Sequence, residues 1–104
     1  MNALKIKITK FIDAHQPGFV ECKFIDAWGK EHTIEEKVPV VTKEDLDANS
    51  KYPAKGIVAC EIIKAYTDKN SRLLRTVSIE KPWDISTTEN LYEFDVLKDQ
   101  IIEI

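Results

Sequence analysis

The sequence has few of the residues on which common catalytic and phosphate-binding motifs depend. Its 104 residues include only three glycines, two cysteines and two histidines. Phosphate cradles need several glycines close together, and the chain contains no P-loop, no G-x-G-x-x-G, no nucleophile elbow and no H-E-x-x-H motif. We therefore assign no catalytic residue and no cofactor, and the sequence favours a protein that is not an enzyme.

Long apolar runs and a strong charge of one sign are also absent. No segment approaches the roughly 20 apolar residues that a membrane-spanning helix needs. The start of the chain alternates lysine with aliphatic residues, without the continuous apolar centre of a secretion signal. A formal net charge of -3 gives no long-range attraction to nucleic acid or to an anionic membrane. We expect a cytoplasmic protein that does not bind membranes.

The cysteines and histidines are too scattered to predict a metal site. No two of Cys22, Cys60, His15 and His32 stand within five residues of each other, whereas structural zinc sites bring their ligands in close pairs. Each cysteine has a glutamate as a chain neighbour, but neighbouring side chains in a strand point to opposite faces. We expect both thiols to pack in the core as small apolar groups.

Alternating apolar and polar residues are the dominant pattern that the sequence does contain. The chain is 43% hydrophobic and 32% charged, which is typical of a folded protein, and its length fits one domain over residues 1–104. Apolar residues at every second position indicate half-buried β-strands. Turns are predicted at 15–18 and 27–30, and strands over about 4–9, 19–26, 31–38, 57–66, 73–80 and 91–97.

A short helix is predicted between the third and fourth strands. Thr42 can cap free backbone N–H groups and Glu44 suits the first helical turn, while Asn49 and Pro53 end the helix within about two turns. The chain is therefore mainly β: a small antiparallel β-barrel of about six strands, either OB-like or SH3-like, or a six-stranded meander. The run 57–66 is apolar on both faces, which predicts a central strand covered on both sides. The apolar residues of 101–104 indicate a docked C-terminus or a partner contact.

Three charged residues fall on or beside apolar faces of the predicted strands. Glu36 shares a face with Ile34, Lys64 shares a face with Cys60, and Arg75 lies on the strand that follows. Buried charges are costly unless they are paired. Either these residues mark where the strands leave the core, a bulge shifts their register, or they form a polar patch at the barrel mouth that could bind a small ligand.

Both tryptophans fall in predicted turns. Trp83 has Lys81 and Arg75 near it in the sequence, and Trp28 precedes a glycine. Exposed tryptophans beside basic residues can stack on nucleic-acid bases or form a protein interface. Alternatively, each tryptophan could plug one end of a small barrel.

Five short segments resemble a group of short bacterial proteins to which we can attach no activity. The resemblance covers most of the chain and implies only a small, mostly β, cytoplasmic domain. Its segments are Pro17–Cys22, Glu36–Thr42, Tyr52-Pro53, Gly56–Glu61 and Pro82–Ser86.

Three hypotheses for function follow from these patterns. The leading one is a non-enzymatic binding module that contacts another protein or a second copy of itself. The second is an OB-like binder of single-stranded nucleic acid that uses basic residues of 64–81 with Trp83. The third is a small-ligand site in the barrel mouth. The candidate binding residues are Trp28, Glu36, Lys64, Arg75, Lys81 and Trp83.

Overall fold

The computed structural model describes residues 1–13 and 18–104. Most of the turn predicted at 15–18 lies outside the described residues. The described part contains one four-residue helix, α1 (Val38–Val41), and one 3-10 turn (Lys98–Gln100). Its strands are β1 (Asn2–Asp13), β2 (Phe19–Ile25), β3 (Glu31–Lys37), β4 (Ala54–Thr67), β5 (Leu73–Ser78), β6 (Glu93–Leu97) and β7 (Ile101–Glu103).

The seven described strands form one antiparallel sheet that curls into a half-barrel. The strand order is β3-β2-β1-β4-β5-β6, and β7 pairs with the first residues of β1. The predicted mainly β class, the small barrel-like architecture and the short helix between β3 and β4 are confirmed. β7 is a seventh strand beyond the six predicted, and it docks the end of the described chain against β1.

The alternation in β1 and β2 produces the two faces of the sheet. Leu4, Ile6 and Ile8 are buried on the inner face, where they join Val20 and the other core residues of β2. The lysines between them face outward and are exposed. Between β2 and β3, Gly29 adopts φ +86°, a conformation that glycine accepts without steric cost.

The half-barrel is drawn together where β3 and β6 approach each other. The backbone N–H of Thr88 donates to the carbonyl of Thr33 at 2.9 Å, and that of Ala27 donates to Asp95 at 2.8 Å. The rings of Phe24, His32 and Phe94 pack against one another, with centroids 4.5–5.1 Å apart. These contacts partly replace the strand pairing that a closed barrel would have.

The helix lies earlier in the chain than the sequence predicted. α1 ends where the predicted helix begins, because Thr42 has extended backbone angles and follows the last helical residue. Pro39 fits the first turn of a helix, where no backbone N–H partner is needed. The Thr42 hydroxyl accepts the backbone N–H of Glu44, so its capping group stabilises a turn.

The prediction that both faces of the fourth strand are covered is wrong for the second half of β4. The pairing with β1 stops where Asn2 meets Cys60, so residues 61–67 pair with β5 alone. Ile63 is therefore 50% exposed on a hairpin that extends from the sheet. A bulge between Ile62 and Lys64 interrupts the regular strand pairing of this hairpin. Bulges of this kind discourage an exposed strand from pairing with another chain.

The buried core occupies the concave side of the half-barrel. It combines the inward residues of β1 and β2 with Ile34, Val58, Val77 and Phe94 from four further strands. No helix of the described residues is long and apolar enough to cross a bilayer.

Candidate functional site

A groove of about 710 Å³ crosses the outer face of the sheet. Outward residues of β1 and β4 form its floor, α1 and Trp83 line one side, and β7 lines the other. No aspartate or glutamate occurs among the described residues that line it. Its lining includes four lysines (Lys5, Lys7, Lys43, Lys55) and six apolar side chains (Pro39, Val40, Ile57, Trp83, Ile102, Ile104).

Three lysines stand side by side across the floor of this groove and its margin. In the strand register, Lys7 lies directly opposite Lys55 of β4 on one side and directly opposite Lys23 of β2 on the other. Directly opposite residues share a face, with Cβ atoms about 4.5–5.5 Å apart. Lys5 lies two residues before Lys7 and points to the same face. We call Lys5, Lys7, Lys23 and Lys55 the lysine row.

Among the described residues, a neutralising partner is found for one member of the lysine row. The ammonium of Lys23 lies 3.3 Å from Glu31 Oε1 and 4.0 Å from Glu21 Oε1. No carboxylate of the described residues lies within 4.0 Å of the other three lysines. Like charges directly opposite each other destabilise a sheet. The row therefore carries uncompensated repulsion, which a bound anion would relieve.

The other end of the groove is apolar. Ile57 of β4 lies opposite Lys5, and Ile102 of β7, which is 37% exposed, lies opposite Ala3, two residues before Lys5. Ile104, the next residue on the same face, is 51% exposed. From Ala3 to Lys7 the strand advances four residues, or roughly 13 Å at 3.3 Å per residue. The groove is thus bipartite, with an apolar end and a basic end.

Trp83 and Glu36, two of the predicted site residues, lie together beside this groove. They line an adjoining pocket of about 310 Å³ with Pro39 and Val40. Trp83 is 43% exposed, so its ring forms a wall and is not a buried plug of the barrel. The Glu36 carboxylate accepts the backbone N–H of Lys37 at 3.0 Å, which gives it a local structural role.

Three of the other predicted site residues lie elsewhere. Lys64 is on the exposed part of β4, with its ammonium 4.8 Å from the centre of the Tyr66 ring. The guanidinium of Arg75 donates to the carbonyl of Leu74. Lys81 lines a separate depression beside Glu61. The predicted group of Glu36, Lys64 and Arg75 does not line a common pocket among those found in the described residues.

Trp28 lies at the turn between β2 and β3, where it contacts the β5–β6 side of the half-barrel. Its indole N–H donates to Asp95 Oδ2 at 3.3 Å, and Arg72 lies 5.5 Å from the centre of its ring. Thr76 donates to the other oxygen of the same aspartate at 2.6 Å. Although Trp28 is 58% exposed, its contacts connect the two ends of the sheet and do not form a pocket with Trp83.

The two thiols are poorly placed for chemistry. Both are free and buried. Burial raises the pKa of the Cys22 thiol to about 12, with smaller contributions from the charges of Glu36 and Glu21, and raises the pKa of Cys60 to about 11. Both thiols are therefore protonated at neutral pH and unreactive. In the described part of the chain, no three cysteine, histidine or acidic side chains are grouped so that they could hold a metal ion.

Sequence reasoning missed the lysine row. The alternation Lys5-Ile6-Lys7 predicts only a half-buried strand with its lysines on the face opposite Ile6. Its meeting with Lys23 and Lys55 depends on the register of three strands, which local patterns do not supply. The outward faces of the predicted strands contain the members of the row, but the sequence does not show how they are arranged.

Comparison with known proteins adds no relative. No protein-family model matches the chain, no curated protein is similar to it, and no solved structure matches its fold. Functional arguments therefore depend on the groove itself.

Proposed function

We propose that the protein is a non-enzymatic binding module and that the bipartite groove is the surface on which it holds another protein. The observation that carries this proposal is the coincidence of exposed apolar side chains and uncompensated lysines in one concavity. A volume of about 710 Å³ is in the range of specific binding sites. Apolar patches rimmed by polar groups are typical of interaction surfaces.

The chemistry of the described residues favours binding over catalysis. Both thiols stay protonated, and Glu36, an acid of the adjoining pocket, accepts a hydrogen bond from the backbone of the next residue. The buried free thiols also fit a reducing compartment, and we place the protein in the bacterial cytoplasm as part of the proposal.

Matched tryptophan variants test the proposal. The full chain and its Trp83→Ala and Trp28→Ala variants are used as bait in the native host, after circular dichroism shows that all three are folded. A protein captured by the wild type and by Trp28→Ala, but lost with Trp83→Ala, supports binding at the groove. Equal capture by both variants would refute the groove as the binding surface.

Single-stranded nucleic acid is a second candidate, because the lysine row is a track of positive charge with Trp83 beside it. An OB-like mode of binding would place bases on aromatic rings. The groove offers one tryptophan among aliphatic side chains, and the chain carries a net negative charge. Both features favour a protein segment over a nucleic acid. A small ligand in the Glu36–Trp83 pocket is a third candidate, which Glu36→Gln tests through loss of binding at unchanged stability.

A further inference from the structure

We infer that the partner segment bound by the groove is acidic and extended, with apolar anchor residues at one end. This inference rests on the proposed function and specifies the chemistry of its ligand. Two independent features carry it: the charge of the lysine row and the apolar end of the same groove. The chemistry of each feature sets a requirement on the segment.

The lysine row requires anions at a defined spacing. Lys5 and Lys7 are separated by two residues along β1, which places their Cα atoms about 6.6 Å apart. Carboxylates at alternate positions of an extended peptide have the same spacing. Lys55 stands one strand away, about 4.8 Å across the sheet, so it can reach a carboxylate held by Lys7. An acid-x-acid pattern in an extended segment matches this arrangement.

The apolar end requires anchors that a nucleic acid lacks. Ile57 faces the groove opposite Lys5, and Ile102 and Ile104 continue the apolar surface beyond it. Trp83 and Val40 close the side. Leucine or phenylalanine side chains bury apolar area against such a surface, whereas bases gain their affinity by stacking on aromatic rings.

A second copy of this chain offers one segment of suitable chemistry. Leu91 and Tyr92 are exposed between Glu89 and Glu93. In this chain, however, the segment is already held in a turn: the backbone N–H of Thr87 donates to the carbonyl of Leu91 at 2.8 Å, and that of Ile79 donates to the carbonyl of Tyr92 at 2.8 Å. Because the spacing of the lysine row requires an extended segment, we commit to a segment of a different protein as the occupant.

A peptide titration tests the inference. The protein is the full chain with Trp28→Phe, so that its tryptophan emission reports on Trp83 alone. The probe is a capped ten-residue peptide without tryptophan, with leucine and phenylalanine at one end and three glutamates at alternate positions at the other. The comparison peptides replace the glutamates with glutamine, or the two apolar residues with serine. A ten-nucleotide oligothymidine is titrated in parallel.

We expect the glutamate peptide to bind, and each comparison peptide to bind at least about tenfold more weakly in 50 mM NaCl. Its affinity should fall as salt rises, because salt screens exposed charges. The protein variant Lys55→Glu should weaken binding about tenfold. Lys69→Glu, which changes the net charge equally at the distant β4–β5 turn, should have little effect.

Each contrary outcome has a separate meaning. If the glutamine peptide binds as tightly as the glutamate peptide, or the glutamate peptide does not bind at millimolar concentration, the acidic-segment inference is wrong. The proposed function is then decided separately, by whether Trp83→Ala loses the protein that the wild type and Trp28→Ala capture. Oligothymidine binding that depends on Lys55, without peptide binding, would overturn both. Concentration-dependent self-association that Leu91→Ser abolishes and that blocks the peptide would assign the groove to a second copy and overturn the choice of a different protein.

Discussion

Lys55→Glu should stabilise the unbound protein, although it removes a residue from the proposed binding surface. The substitution places a carboxylate directly opposite Lys7, where a second ammonium now stands. Opposite-charge pairs across strands contribute about 0.2–1 kcal/mol, and directly opposed like charges cost a similar amount. Both side chains are exposed, so salt screening reduces the sum. We expect a gain of about 0.5–1.5 kcal/mol in the free energy of unfolding.

Urea unfolding followed by circular dichroism measures this gain at 10 mM and 500 mM NaCl. In thermal unfolding of a domain of this size, a change of about 1 kcal/mol in the free energy of unfolding corresponds to a shift of about 4–8 °C in Tm. The gain should be largest at low salt, because the interaction is between exposed charges. Lys69→Glu is the matched control: it makes the same change in net charge at an exposed lysine away from the row.

The double variant Lys7→Glu with Lys55→Glu gives a further check. It restores a like-charge pair between positions 7 and 55, while the glutamate introduced at position 7 gains Lys23 as an opposite-charge neighbour, so the double variant should be less stable than the sum of the two single-variant effects predicts. Coupling between the two positions is therefore predicted, as expected for residues in contact. Additive effects, or a Lys55→Glu variant no more stable than Lys69→Glu, would refute the reasoning that the row is an uncompensated charge cluster.

Three other predictions concern the framework that holds the groove. Burial acts to raise the pKa of Asp26, but hydrogen bonds from His32 and from backbone N–H groups outweigh it and hold that pKa below its unfolded value of 3.8. The stabilisation that ionised Asp26 gives the folded state is therefore fully present above pH 3.8, and it is lost as the pH falls through the lower folded-state pKa. Asp26→Asn should flatten the acid side of the stability profile measured by urea unfolding at a series of pH values. An unchanged profile would contradict this. Gly56→Ala should destabilise the fold by about 1–3 kcal/mol, because the added Cβ would lie 2.9 Å from the Ile8 side chain and 3.0 Å from the Val41 carbonyl. A variant with the same free energy of unfolding as the wild type would contradict this. Because burial raises the pKa of Cys22 to about 12 and that of Cys60 to about 11, both thiols should react with a thiol reagent at pH 8 only in urea, and labelling of the native protein within minutes would contradict that.

The alternation of apolar residues predicted much of the fold because it is a local signal. It placed Leu4, Ile6 and Ile8 on the inner face, and it placed the turn at Gly29 correctly. The helix was misplaced because the capping chemistry of Thr42 is equally suited to a turn. The exposure of residues 61–67 was missed because it depends on where the neighbouring strand β1 begins.

The candidate site was only partly predictable for the same reason. Trp83, a tryptophan in a predicted turn, and Glu36, a charge on an apolar strand face, stand out in the sequence, and they line one pocket. Lys7 and Lys55 look ordinary in the sequence, since a lysine on the outer face of a strand is usually solvated. Their significance comes from being directly opposite each other with no carboxylate between them, which is a property of the register.

The claim that the groove is the binding surface is tested most directly by nuclear magnetic resonance. The ¹⁵N-labelled full chain is titrated with the capped glutamate peptide, and backbone amide shifts are followed residue by residue. We expect the largest changes at Lys5, Lys7, Lys55, Ile57 and Ile102, with little change in the hairpin turn 68–71. Changes centred on that hairpin, or no changes at a peptide concentration that saturates binding, would contradict it.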